Sequence, residues 1–395
     1  MRRPSLGVAF AGTLACVCAR PAAADELADA LEAAGGGDVM AFELPAAPGA
    51  ARVRGATRVR APAATVTAVL MDAAGFGVLL PSLARHDEMS RRGEARVVAW
   101  ELEIPLFNLE GTLELRPRAN GAELALIDGD LAPGRIVFQV APRADGGATL
   151  TVDARVDLRK SSWFLRKVMA RSPWGEPAAA SAAIYAALRA TALRAEHARE
   201  AATFRPTAPL VAPTPGMPGA RALFSPPLAR LVARGAAAIV TSTPGGRLAG
   251  VAVGVPAREG RATLGARLAD PRGWRAFPGW VVVRPMPPKG GAPATVVVED
   301  SIPFVELDAT WTALPGRPRA WTAIAGAPQG AWFGWQLAER DDAPPVVVLA
   351  AQPRLERTGS IPRRFIEAEP LLEHGLALAL TFVNALSATH AGGKP

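Results

Sequence analysis

The apolar positions of this chain change period several times, and those changes outline its elements. Residues 25–34 place Leu27 and Leu31 one helical turn apart behind an acidic start, and Gly35-Gly36-Gly37 stops the pattern. Residues 225–235 repeat it, with Ser225 placed to cap and prolines in the first turn. Residues 52–61 and 248–255 read as strands. Two short helical segments follow each, at 64–71 and 72–80, then at 257–269 and 270–277. The period next falls to two. Strands are predicted over 85–90, 95–104, 110–116, 122–128, 135–142 and 148–158. The turns between them include Ala119-Asn120-Gly121, and Asn-Gly is a hairpin signal.

On the last strand Leu150, Val152, Ala154, Val156 and Leu158 share one parity, while Thr151, Asp153, Arg155 and Asp157 share the other. Trp100, Leu102 and Ile104 alternate in the same way against Glu101 and Glu103. This suits an antiparallel sheet with one wet face. A long Ala-rich helix is predicted over 177–202, with Ile184, Leu188 and Thr191 in one stripe. A second, over 369–388, carries Leu372, Leu376, Leu380 and Val383 at helical spacing.

The pattern occurs twice. Residues 100–109, with a Glu three positions before Ile104-Pro105, return at 298–307 before Ile302-Pro303, an offset of 198. Gly129, Phe138, Gln139, Leu150 and Leu158 fall on Gly326, Trp335, Gln336, Val347 and Leu355 at offset 197. A near-constant offset over so much chain is the mark of a duplicated domain. The expected class is α+β, with two tandem domains over 25–202 and 225–390. A proline-rich linker at 203–224 is expected to join two separate sheets.

Composition adds an address. Residues 1–24 begin Met-Arg-Arg-Pro, continue through an apolar run and end at Ala22-Ala23-Ala24, the pattern of a cleaved secretory signal. The two cysteines, Cys16 and Cys18, lie inside it, so the mature chain would carry no thiol. A periplasmic or secreted product is expected. Losing Arg2, Arg3 and Arg20 lowers the net charge from +8 to about +5, too dilute a bias to argue for nucleic acid.

The order of one strand, two short helices, six antiparallel strands and one long closing helix resembles the helix-grip (SRPBCC) superfamily. That superfamily includes START lipid-transfer domains, polyketide cyclases, coenzyme Q-binding proteins and the birch pollen allergen group. Phe76-Gly77-Val78-Leu79-Leu80-Pro81 after the short helices, and Gly129-Asp130-Leu131 with Gly134 between strands, carry the resemblance. It implies a curved antiparallel sheet in each copy, closed by the long helix over a cavity for a hydrophobic small molecule. The same follows physically, because a helix laid across a cupped sheet leaves apolar space.

Inward parity names the candidate ligand-binding residues. In the first copy they are Trp100, Leu102, Ile104, Leu113, Leu115, Phe138, Leu150, Val152, Val156, Ile184 and Leu188. In the second they are Asp300, Ile302, Trp311, Trp335, Val347, Leu349, Leu376 and Leu380. The alanine-rich first helix predicts the roomier cavity. The leucine-rich second helix, with six of the nine tryptophans in its copy, predicts a partly filled one.

Candidate chemistry is sparse. His86, His197, His374 and His390 share no metal-ligand spacing, and no metal or cofactor is expected. No Gly-x-Ser-x-Gly elbow, phosphate loop or dinucleotide fingerprint occurs. Asp300 takes the inward place of Leu102, with Arg284 and Arg354 as candidate partners; an outward register is the alternative. His374 precedes the apolar part of the second helix and could reach a cavity mouth, or be a locally bonded helix residue. Arg166-Lys167 and Arg363-Arg364, beside Trp163, Phe164 and Phe365, suggest peripheral docking on anionic lipid, against the plainer reading of a solvated approach to each helix.

The function expected is an exported, non-enzymatic binder of a hydrophobic ligand such as a lipid. A cyclase- or hydrolase-like enzyme of the same superfamily, and a protein-interaction module with filled cavities, are the rivals.

Overall fold

The computed structural model describes residues 22–43, 51–80, 82–104, 107–170, 172–197, 219–243, 246–257, 259–276, 280–286, 293–300, 308–315, 317–340, 343–368 and 371–390. The first half holds β1 (Asp38–Glu43), β2 (Ala51–Val59), β3 (Leu83–Arg92), β4 (Ala95–Ile104), β5 (Phe107–Arg118), β6 (Gly121–Gly129), β7 (Gly134–Pro142) and β8 (Ala148–Val156). The second holds β9 (Gly235–Ser242), β10 (Leu248–Pro256), β11 (Trp280–Met286), β12 (Thr295–Asp300), β13 (Ala309–Leu314), β14 (Arg317–Gly326), β15 (Trp332–Arg340) and β16 (Ala343–Gln352). The helices are α1 (Ala22–Ala33), α2 (Ala63–Leu70), α3 (Phe76–Leu79), α4 (Trp163–Met169), α5 (Gly175–Glu196), α6 (Pro226–Ala233), α7 (Arg261–Ala269), α8 (Ser360–Ala368) and α9 (Leu372–His390).

The α+β class and the antiparallel pairing stand. The expectation of two separate sheets does not, because the described strands form one sheet of 16 in the order β11-β12-β13-β14-β15-β16-β10-β9-β1-β2-β8-β7-β6-β5-β4-β3. The join is the antiparallel pair β1–β9, running from Asp38 opposite Val240 to Glu43 opposite Gly235. Neither strand was predicted, and the reason is physical. β1 and most of β9 are buried on both faces, so neither shows period-two alternation. The run Gly235-Ala236-Ala237-Ala238 is also poor in β-branched residues.

The duplication survives in the register. Order β1-β2-β8-β7-β6-β5-β4-β3 in one half matches β9-β10-β16-β15-β14-β13-β12-β11 in the other. The bulge between Thr112 and Leu113 recurs between Thr310 and Trp311, 198 residues on. The one between Leu83 and Arg85 recurs between Trp280 and Val282, 197 residues on. Gly129 and Gly326 both take positive φ, 96° and 94°. A Cβ there would collide with the carbonyl oxygen of Glu110 or Asp308, themselves 198 apart, so each turn demands glycine. At offset 198 Met40 maps onto Ala238, the residue it faces across the join, which places a pseudo-twofold axis between β1 and β9.

Helices cover the middle of this sheet on both faces. On one, α5 and α9 lie over a core that runs through both halves, from Leu150, Val152 and Leu188 to Val347, Leu349 and Phe382. The rings of Phe42 and Phe382 meet across the join at 4.3 Å. The helices cross closely enough that a Cβ on Gly375 would sit 2.7 Å from the Ala182 carbonyl oxygen. On the other face α1 and α6 bury Leu27, Leu31, Leu228 and Leu231 against Val39, Ala56, Ile239 and Ala252. The expected boundaries of α1, α6 and α9 and the expected start of α5 hold within a few residues, while the expected end of α5 at residue 202 lies outside the described residues; α4 and α8 were not foreseen as separate elements.

No helix of the described residues is long and apolar enough to cross a membrane. Residues 1–21 of the expected signal and most of the expected linker lie outside the described residues.

Candidate functional site

Along α9 the row Leu376, Leu380 and Val383 is half-buried, while Leu378, Phe382 and Leu386 are sealed. Beneath Leu380 lies a cleft of about 90 Å³, walled by Trp311 of β13, Phe333 and Trp335 of β15, and Leu349 and Ala351 of β16. Arg354, Thr358, Thr381 and Asn384 supply its polar edge. Edge-on aromatic packing fixes the walls, with Trp311 and Phe333 centroids 4.9 Å apart and Trp274 at 5.2 Å from Phe333.

Trp311 is 8% exposed, and its Nε1–H is buried without a hydrogen-bond partner among the described residues. Such an orphan costs about 1–3 kcal/mol. At the rim, Arg354 Nε donates to Glu356 Oε1 at 2.6 Å.

The structure brings four predicted residues, Trp311, Trp335, Leu349 and Leu380, to this cleft. Val347 and Leu376 pack in the same core without lining it. In the first half Leu115, Phe138, Leu150, Val152, Val156, Ile184 and Leu188 are buried together beneath α5, and Leu113 packs at their margin. Trp100 is buried against Gly111, and Leu102 is half-buried. Ile302, and the side chains of Ile104 and Asp300, lie outside what is described. The partners expected for Asp300 are engaged elsewhere: Arg284 with Glu299 at 2.6 Å, and Arg354 with Glu356.

Phe333, Arg354 and Asn384 were missed. Phe333 has the parity of Trp335, and Asn384 lies one turn beyond Leu380, so both were within reach of the pattern. Arg354 follows the last strand and was singled out only as a candidate partner of Asp300, not as a residue of the cleft.

This cleft lies in the half whose closing helix is leucine-rich. In the other half α5 approaches the sheet closely at Gly55 of β2, where a Cβ would sit 3.2 Å from Leu188 Cδ2.

Between the helices lies a polar cluster that sequence reading missed. Tyr185 OH donates to Asp38 Oδ2 at 2.8 Å, Thr57 Oγ1 donates to Asp38 Oδ1 at 2.5 Å, and Arg189 Nε stands 3.6 Å from the same carboxylate. His374 Nε2 meets Ser242 Oγ at 3.1 Å, and Arg247 bridges Glu373 at 2.8 Å. Burial first, then Arg189 and Arg247, pushes the His374 imidazole down to about 3. Burial and Asp38 raise the Tyr185 phenol. A histidine that weak as a base gives little general-base catalysis near neutrality, despite the serine beside it. His374 is therefore locally bonded and is not among the residues lining the cleft.

The basic pairs sit inside short helices, not at the starts of the long ones. In α4 Arg166 and Lys167 are exposed, with Lys167 Nζ 4.7 Å from the ring of exposed Trp163. In α8 Arg363 and Arg364 are exposed, and Arg363 Nε lies 3.7 Å from Glu367.

No family model and no curated protein matches the chain. Solved structures similar to it include a START superfamily protein from Mycobacterium smegmatis, at 20% identity over 27% of this chain and 77% of that one, with a TM-score of 0.26. The STAR-related lipid transfer protein of Xanthomonas axonopodis is 16% identical over 40% of this chain and 93% of its own, with a TM-score of 0.29. The di-domain ARO/CYC StfQ from the steffimycin biosynthetic pathway is 10% identical over 86% of this chain and 97% of its own, with a TM-score of 0.28. At such low TM-scores the fold rests on strand order and register alone.

Proposed function

We propose that this chain binds the apolar part of a small amphipathic molecule in the cleft beneath α9, without transforming it. The observation that carries this reading is the open cleft with its aromatic wall of Trp311, Phe333 and Trp335 and its polar edge at Arg354 and Asn384. Size sharpens it. An engineered apolar cavity of about 150 Å³ takes benzene, so about 90 Å³ suits an alkyl end or branch whose polar part lies at Arg354 and Asn384. Each Å² of apolar surface withdrawn from water contributes about 25 cal/mol.

In this proposal residues 25–202 and 225–390 are two helix-grip units, closed by α5 and α9 and fused through β1 and β9. Residues 1–24 direct export, and Trp163 with Arg166 and Lys167 gives a peripheral contact with anionic lipid. N-terminal sequencing of the chain recovered outside the cytoplasm, starting at Asp25, checks the address.

Decanoate and decanol titrated into the full chain, followed by tryptophan fluorescence, test the cleft. A saturable change is expected, abolished by Leu380→Trp and weakened severalfold by Trp311→Ala, which removes part of the aromatic wall. A linear response, or one equal in both variants, contradicts the reading.

A further inference from the structure

Opposite the helices α5 and α9, the outer face of the first half holds a groove of about 480 Å³ bounded by Leu27 of α1. Arg52 and Arg54 of β2, Arg118 of β5, Arg135 of β7 and Arg155 of β8 line it, together with Asp153. Three of these arginines stand in one lateral row. Arg52 is opposite Arg155 in the β2–β8 register, and Arg155 is opposite Arg135 in the β7–β8 register. Like charges placed directly across strands destabilise a sheet. A row of three calls for a counter-charge.

The nearby carboxylates do not supply it fully. Asp153 accepts two bonds from Arg52, at 3.1 and 2.7 Å, and Glu43 also engages Arg52. Glu123 is shared by Arg118 and Arg135. Glu26 contacts Arg234. Two guanidiniums remain. Arg155 is exposed and makes no ion pair among the described residues. Arg54 is 3% exposed, yet its nearest carboxylates, Glu26 and Glu43, are 3.7 and 3.8 Å away, and its Nε has no hydrogen-bond partner among the described residues. Burial, with Arg234 and Arg52 nearby, holds this guanidinium below its ordinary range. A buried cation left without hydrogen bonds is costly, and its natural complement is an anion reaching it through the groove.

The second copy shows that the scaffold does not require these charges. At the positions equivalent to Arg52, Arg54, Arg135 and Arg155 stand Gly250, Ala252, Trp332 and Gln352. There Trp332 is buried, and its Nε1 donates to Gln352 Oε1 at 3.1 Å.

We propose that the arginine-lined groove binds a phosphate monoester, with Arg54 and Arg155 as the principal ligands of the phosphate and Arg52 and Arg135 completing the row. Arg155, without an ion pair among the described residues, and Arg54, whose two carboxylates stand beyond hydrogen-bond distance, suit the charge of about −1.5 to −2 that such a group carries at neutral pH, and their forks suit its oxygens. The groove has room for the organic part as well, whether that part is soluble or belongs to a lipid headgroup.

Calorimetric titration of the full chain with inorganic phosphate and with glycerol 3-phosphate, at constant ionic strength in sodium chloride, tests the site. Saturable binding is expected, at least tenfold weaker in Arg155→Gln and in Arg135→Trp, and unchanged in Leu380→Trp, which alters only the α9 cleft. Sedimentation with phosphatidic acid vesicles, against phosphatidylcholine vesicles, separates the sources. Capture by the former alone assigns a lipid headgroup, and soluble binding without capture assigns a free ester. The proposal is overturned if neither form binds, or if Arg155→Gln and Arg135→Trp bind as the parent chain does.

Discussion

At equivalent positions on the inner face, the first half carries Asp38, Thr57, Tyr185 and Arg189 where the second carries Ala236, Val255, Phe382 and Leu386. On the outer face it carries an arginine row where the second buries Trp332 and Ala252. Strand order, two of the bulges and the glycine turns at Gly129 and Gly326 are shared. Duplication therefore preserved what the strand ladder needs and released the side chains. One copy kept charge on both faces. The other carries apolar side chains at those positions and has a cleft beneath its helix.

The comparison predicts a hierarchy of effects. Leu150 and Val347 are equivalent, and both are fully buried. Leu150→Ala should cost about 2–5 kcal/mol and Val347→Ala less. Because one sheet joins the halves, both changes should lower a single cooperative transition in calorimetry. Separate transitions, each moved by one substitution only, would break the account of a shared sheet.

Acid provides the next test. His374 is held near 3 when folded, against an unfolded value of about 6.5. The fold thus favours the neutral ring. Its contribution is complete above about pH 6.5 and is lost as pH falls toward 3, by several kcal/mol. The difference in stability between His374→Gln and the parent should therefore shrink on acidification across that window. A difference constant with pH would show that His374 titrates normally.

Tyr185→Phe installs the residue of the second half and leaves the buried Asp38 short of a donor, costing about 1–3 kcal/mol in urea unfolding. A neutral result would mean that the polar cluster does not distinguish the halves energetically. Smallest is Arg284→Gln at the exposed β11–β12 edge, where loss of the Glu299 bridge should change stability by about 1 kcal/mol or less.

Much of this was legible in the chain. The 197–198 offset and the alternating strands follow from periodicity, because those strands have one buried face and one wetter face, whereas the long helices show through their alanine- and leucine-rich composition, being buried or half-buried nearly all round. β1 and β9 did not, since burial on both sides erases the alternation that reveals a strand, and with them went the continuity of the sheet. Inward parity found Trp311, Trp335, Leu349 and Leu380. It could not say which space would stay open, because the spacing between helix and sheet depends on summed side-chain volumes. The arginine row was hidden for a related reason. Parity pointed Arg155 outward, but only the order β2-β8-β7 sets it between Arg52 and Arg135.

Native mass spectrometry of the full chain, after exposure to a total lipid extract and repurification, tests the central claim most directly when run beside Leu380→Trp. The account predicts an added apolar species on the parent chain that the variant lacks. Equal occupancy of both by every added species, or no added mass on either, would contradict it.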